Sequence, residues 1–302
     1  MSRPSPDRIR RVSCVGTGTI GAGWSALFLA HGLDVTATDP APDAENTLRA
    51  RVARIWPKLE RRGLAASASL DRLRFVPDLE QAVREAQFIQ ESAPDDEALK
   101  IDLLARIDAA CPAEIVIASS SSKFLPSRLG MRCAHPQRIA IGHPFVPSYL
   151  VPLVEIVGGA AADPDALAWL DGFYRRVGKT PITLKKEIEA YVANRLQAVL
   201  LEEASRLVAQ GVCDWMDVEL AVTKGPGFRW PFQGPVLHRH LGGGSGGVRH
   251  MLAHFGWRGA PETRDAFIDT VDRRWGHVPM DELEDWRDEN MLMLLENLRE
   301  AP

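Results

Sequence analysis

Val12–Trp24 reads VSCVGTGTIGAGW, and the reading of this stretch decides the fold. A short apolar run, RVSCVG, has the length and composition of a buried strand. The run IGAGWSALFLAHG that follows reads as a helix. Between them Gly16, Gly18 and Gly21 stand in G-x-G-x-x-G spacing. Glycines also populate ordinary turns, so the spacing alone says little. Strand before and helix after is the context in which each glycine has a physical task. Gly16 permits a tight turn, Gly18 lets backbone approach a pyrophosphate, and Gly21 lets helix and strand pack closely, with the helix N-terminus facing the phosphates.

Asp39 ends the next strand-like run, LDVTATD, close to the ~20-residue spacing expected of a ribose-binding acid. Such a carboxylate accepts hydrogen bonds from a 2′-hydroxyl and repels a 2′-phosphate. Residues 40–48, PAPDAENTL, contain no Lys or Arg to receive that phosphate. The expected cofactor is therefore NAD rather than NADP.

Outward from the loop, strand-like runs (RLRFVP, QFIQES, EIVIASS, RIAIGH) alternate with helical ones such as DEALKIDLLARIDAAC. That alternation predicts an α/β fold built on a Rossmann-type doubly wound parallel sheet. PLVEIVGG follows RIAIGH too closely for a helical crossover, so this pair is expected to be antiparallel. From about Glu187 the pattern becomes helical, beginning with a long helix over roughly 189–210. We expect an NAD-binding domain over 1–187 and an all-helical C-terminal domain over 188–302, serving substrate binding or dimerisation.

The chain of 302 residues holds 36 basic and 40 acidic residues with no long run of either sign, which gives no reason to expect nucleic acid or an anionic membrane as partner. No stretch approaches the length of a membrane span, and no signal-peptide pattern follows the basic start. Cys14, Cys111, Cys133 and Cys213 are scattered, as reduced thiols would be, so a cytoplasmic protein is expected.

Two apolar runs each carry one ionisable residue, His143 in RIAIGH and Glu155 in PLVEIV. A reversal near Tyr149 would set them opposite one another. Glu155 alternates with Leu153 and Val157, and a carboxylate on such a side is costly unless paired. An imidazole held by it is ready to move a proton near neutral pH. Taken singly, each residue also fits a satisfied core histidine or an edge-strand glutamate. The serines of ASSSSKF, Ser122 among them, lie at the same edge of the sheet, where they cap a turn or hold a substrate oxygen. Asn194 shares a helical face with Ala190, Tyr191, Ala198 and Leu201, which places it in packing with a need for a partner. His238, His240, His250 and His254 come with no Cys or HExxH support, so they are read as a solvated or dimer-contact face and no metal is expected.

Together GTGTIGAG, ASSSS, GHPFVP…PLVEIV and AYVANRL resemble the L-3-hydroxyacyl-CoA dehydrogenase family, over about residues 12–235 and more weakly to the end. The resemblance implies His143 as general base, Glu155 as its orienting carboxylate, and Ser122 and Asn194 as partners of substrate and cofactor. It implies cofactor contacts from Gly16, Gly18, Thr19, Ile20, Gly21 and Asp39, with Asp95 and Lys100 on the nicotinamide side. Val146 departs from the family's usual asparagine, which removes one polar contact. The second half is nearest the branch of the L-carnitine dehydrogenases and λ-crystallin/L-gulonate 3-dehydrogenase. That likeness implies NAD-dependent oxidation of a small L-3-hydroxy acid, the alternatives being an L-3-hydroxyacyl-CoA dehydrogenase or a non-catalytic NAD-binding relative. For a carnitine-like substrate, Phe228, Trp230 and Phe232 would face the quaternary ammonium and Arg229 the carboxylate; the same aromatics equally suit a helical core. A homodimer is expected.

Overall fold

The computed structural model describes residues 3–299. The chain divides into two compact units, Met1–Ala198 and Val199–Pro302. The first holds strands β1 (Arg11–Val15), β2 (Asp34–Thr38), β3 (Leu73–Phe75), β4 (Phe88–Glu91), β5 (Val116–Ser119), β6 (Ile139–Pro144), β7 (Leu153–Gly158) and β8 (Thr180–Thr183). Its helices are α1 (Thr19–Ala30), α2 (Ala44–Glu60), α3 (Leu79–Val83), α4 (Glu97–Ala110), α5 (Pro126–Leu129) and α6 (Pro164–Arg176).

The strands form one sheet in the order β3-β2-β1-β4-β5-β6-β7-β8. Neighbours are parallel except β6 and β7, which run antiparallel. The doubly wound sheet expected from the alternation is present. The chain winds outward in both directions from the β1–β4 seam, so the crevice beyond the carboxyl ends of those strands is where this architecture binds ligands.

The local sequence explains why. Strands β4, β5 and β6 are buried at every position, as strands covered on both faces must be. Successive residues of β4 feed opposite cores. Phe88 packs with Trp24, Phe28, Phe173 and Tyr174, whereas Ile89 packs with Leu104, Ile107, Ile117 and Ile141. The Phe88 and Phe173 rings lie 4.4 Å apart, and each such buried side chain contributes about 1.5–3 kcal/mol. Helix α1 is buried at ten consecutive positions, Gly21–Ala30, which is why its sequence is apolar all round.

Helix α7 (Ala193–Ala209) contains the division between the units. It starts later than the periodicity predicts. Ala190 and Tyr191 have φ of 58° and 53°, left-handed values that break a helical run and allow α7 to begin only at Ala193. The second unit continues with α8 (Trp215–Lys224), α9 (Pro226–Arg229), α10 (Pro235–Leu241), α11 (Gly247–Phe255), α12 (Arg264–Trp275) and α13 (Met280–Asn297). Small apolar clusters hold it, one of Val248, Leu252, Ile268 and Val271, another of Leu237, Leu241 and Leu283. His240 is buried and accepts the Val248 N–H on Nδ1 at 3.2 Å, so at this position the expected solvated or partner-facing histidine is instead a structural one. No helix among the described residues is long and apolar enough to cross a membrane.

Candidate active site

A cleft of about 1420 Å³ opens in the first unit at the carboxyl ends of β1, β2 and β4. The glycine loop forms one wall. Gly16 has φ of +90°, and a Cβ there would lie 2.6 Å from the Ser92 carbonyl carbon. A Cβ on Gly21 would lie 1.9 Å from the Gly16 carbonyl oxygen. Around Gly18, by contrast, nothing lies within 4 Å of that position, so backbone is open to the cleft. Gly18 caps α1, and Thr19 and Ile20 of its first turn line the cleft, with no acidic side chain in that turn to oppose an anion.

Asp39 follows the end of β2. Its Oδ2 accepts from the Thr17 N–H at 2.7 Å and the Thr17 hydroxyl at 3.0 Å, and Oδ1 accepts from the Ala41 N–H at 2.9 Å. The carboxylate is thereby fixed in the cleft wall with lone pairs left for ribose hydroxyls. These features fit NAD: a loop in which bulk is forbidden, an anion-ready helix end and an acid for the ribose.

On the far side of the β1–β4 seam the register sets His143 directly opposite Glu155. His143 Nδ1 lies 2.8 Å from Glu155 Oε2. The other carboxylate oxygen accepts from the N–H groups of Val192 and Ala193 at 2.9 and 3.0 Å. The left-handed turn at 190–191 is what delivers those groups, the free donors at the start of α7. Burial raises the Glu155 carboxyl pKa, but the bonds from His143 and the two N–H groups outweigh it and hold the group below its ordinary value. An ionised carboxylate can only accept, so Nδ1 carries a proton, and in the neutral ring Nε2 is the nitrogen with the lone pair. His143 lines the cleft, and its ring packs on Phe145 and Tyr191 at 4.8 and 5.3 Å.

Asp95, Ser121 and Ser122 form a second polar group in the cleft wall. The Ser121 hydroxyl donates to Asp95 Oδ1 at 2.8 Å, and the Ser122 hydroxyl and N–H donate to Oδ2 at 2.6 and 3.2 Å. Burial raises the Asp95 pKa, yet these bonds and the Lys100 charge bring it below the ordinary value. Asn194 stands in the first turn of α7 and lines the cleft, its amide donating to the Ser122 carbonyl at 3.1 Å. This corrects its placement in packing: Ala190 and Tyr191 lie before the helix, and Leu201 is 63% exposed. Lys100 also borders the cleft, with its buried ammonium donating to Glu91 at 2.8 Å and to the Ala93 carbonyl at 3.1 Å.

The sequence reading missed Ser92. Ser92 lines the cleft and bonds Ser120, one of the expected serines, at 2.9 Å, and Ser120 accepts from Gln90 at 2.8 Å. The one available signal was polar residues, Gln90 and Glu91, inside an apolar strand. Arg229, Trp230 and Phe232 belong to the second unit. There Arg229 lies 3.3 Å from the His238 Nε2, and Phe232 meets Trp286 edge-on at 5.6 Å.

A dinucleotide crevice with a carboxylate-held imidazole beside it is the site of an NAD-dependent oxidoreductase acting on a CH–OH group. Comparison with known proteins gives the same class. Residues 11–188 match the 3-hydroxyacyl-CoA dehydrogenase NAD binding domain, and residues 191–275 the C-terminal domain of that enzyme. The chain belongs to the 3-hydroxyacyl-CoA dehydrogenase family. It is 50% identical over 275 residues to an L-carnitine dehydrogenase of Streptomyces griseus, covering 88% of this chain and 82% of that one. It is 43% identical to an L-carnitine dehydrogenase of Pseudomonas putida, covering 99% and 97%. Among solved structures, 5-formyl-3-hydroxy-2-methylpyridine 4-carboxylic acid 5-dehydrogenase superposes with a TM-score of 0.76 at 24% identity, covering 96% of this chain and all of that one, a likeness of fold.

Proposed function

We propose that this chain oxidises the 3-hydroxyl of a small L-3-hydroxy acid, with L-carnitine as the substrate, to the 3-keto acid. The observation that carries the reading is the His143–Glu155 pair in the cleft wall, 2.8 Å apart, with Nε2 left to accept a proton. His143 is the general base that takes the hydroxyl proton, and Glu155 stabilises the imidazolium that forms. NAD, when bound, supplies the hydride acceptor. Ser122 and Asn194 hold the substrate oxygen and the cofactor in register, Asp95 fixes Ser122, and Lys100 borders the nicotinamide side.

Charge supports a substrate with a cationic group over a CoA thioester. Asp39, Asp78 and Asp95 border the cleft with no ion-pair partner among the described residues, Asp102 pairs with Arg132, and the cations Lys100 and Arg106 are engaged by Glu91 and Glu80. In the basic helix α2, which CoA phosphates would need, Arg49 is paired with Glu45 and Arg51 and Lys58 are turned onto backbone carbonyls, which leaves the exposed Arg54 for a CoA phosphate. The test is NAD reduction with L-carnitine, L-gulonate, L-3-hydroxybutyrate and L-3-hydroxybutyryl-CoA. Turnover of L-carnitine at the highest kcat/KM is expected. Preference for the CoA thioester would overturn the substrate assignment, and silence across the panel with NAD still bound would overturn the small-acid reading.

We also propose a homodimer formed through the second unit. Leu201 of α7, Met216 of α8 and Leu295 of α13 are each more than 60% exposed, at 63, 64 and 66%. Apolar exposure on that scale is what a partner surface removes from water. Sedimentation equilibrium is expected to give twice the 33.3 kDa chain mass. A single-chain mass at micromolar concentration would refute it.

A further inference from the structure

Lys179, just before β8, is 6% exposed, yet no carboxylate among the described residues pairs with its ammonium; the charge that acts on it is the Arg62 guanidinium. Burial first, and Arg62 second, push this ammonium down to about 8. An unpaired charge retained in a core at that cost needs hydrogen bonds that only it can make. Its Nζ donates to the Ser148 carbonyl and, at 2.8 Å, to the Val151 carbonyl. It also sits 4.9 Å from the centre of the Trp24 ring, in α1.

Ser148 and Val151 belong to the segment 145–152 that joins β6 to β7 and so connects His143 to Glu155. The same segment carries Phe145 and Val146 into the cleft wall. Two further bonds dock it. The Ser148 hydroxyl donates to the Ile20 carbonyl in the first turn of α1 at 3.2 Å, and Arg62 donates to the Tyr149 carbonyl at 3.2 Å. Lys179, buried like Ser148, touches the segment and the cofactor helix at once.

We propose that Lys179 is a positioning residue that ties the segment 145–152 to α1 and thereby holds Phe145 and Val146 at the cleft. An ammonium suits the task because it offers three donors, enough for both carbonyls, and a positive charge that a π face attracts. Nothing in this role touches the reacting atoms; Lys179 acts through the segment.

The test replaces Lys179→Met and reads deuterium uptake in the cofactor-free protein. Uptake over residues 145–152 is expected to rise, while peptides from β1 stay as protected as in wild type. In turnover, KM for the hydroxy acid is expected to rise roughly tenfold to a hundredfold with kcat changed less, and Lys179→Arg is expected to restore part of the loss. Unchanged protection over 145–152 would overturn the proposal. So would a fall in kcat at unchanged KM with earlier unfolding, the signature of a merely structural lysine. Should the Met variant not fold, Lys179→Gln, which keeps one donor group, is read by the same criteria. The exchange measurement needs no substrate, so its failure is distinguishable from a wrong assignment of the hydroxy acid.

Discussion

His143→Ala is expected to lower kcat about 10²- to 10⁴-fold, the range over which a positioned general base acts, while leaving NAD affinity unchanged. The reason is geometric. The His143 imidazole lines the cleft with Nδ1 held 2.8 Å from Glu155 Oε2, which leaves Nε2 as the ring nitrogen that can take a proton, and no other histidine among the described residues lines the cleft. NAD affinity is spared because the glycine loop and Asp39 belong to other elements, the β1–α1 turn and the end of β2. Titrating NAD against the variant and timing its turnover separates the two effects. An alanine variant that keeps most of its kcat would remove His143 from the chemistry. Glu155→Gln is a useful companion, since the amide preserves shape but removes the charge that stabilises the imidazolium.

Gly21→Ala is expected to act on the other half of the site and weaken NAD binding. The added Cβ would lie 1.9 Å from the Gly16 carbonyl oxygen and 2.9 Å from its carbon, both backbone atoms that cannot swing away. Gly16 cannot yield either, because its own position is pressed against the Ser92–Ala93 peptide. Relief requires α1 to move from β1, and overpacking of this kind costs about 1–3 kcal/mol, or roughly 5- to 150-fold in affinity if it falls on the bound state. Calorimetric titration with NAD is the measurement. Wild-type affinity in a folded Gly21→Ala protein would show that the loop does not cradle the dinucleotide. Gly18→Ala, where a Cβ would meet nothing within 4 Å of protein, is the internal contrast: any loss there comes from the ligand's side.

Both predictions rest on residues that could be named from the sequence, and the reasons are local. G-x-G-x-x-G between a strand and a helix is a statement about a dozen contiguous residues. The pairing of His143 with Glu155 needed only that two short strands reverse over the segment between them, which leaves few registers. Lys100 illustrates the opposite case. It was expected among the cofactor contacts, and the structure adds the buried Glu91 that its ammonium bonds. Asn194 illustrates it again. Helical periodicity extended α7 backward through Ala190 and Tyr191 and turned the amide inward. The observed left-handed turn there begins the helix at Ala193, and Asn194 reaches the cleft.

By itself, then, the sequence determined the alternation of strands and helices, the glycine loop, the acid that follows β2 and the pairing of His143 with Glu155. Each is set by steric and hydrophobic rules that act between near neighbours in the chain. Only the tertiary structure decided which polar group meets which across 72 residues, as Asn194 meets Ser122, or across 31, as Lys179 meets Ser148. A hydrogen bond exists or fails within a few tenths of an ångström. That precision is supplied by the packed sheet and its turns, and no spacing along the chain encodes it.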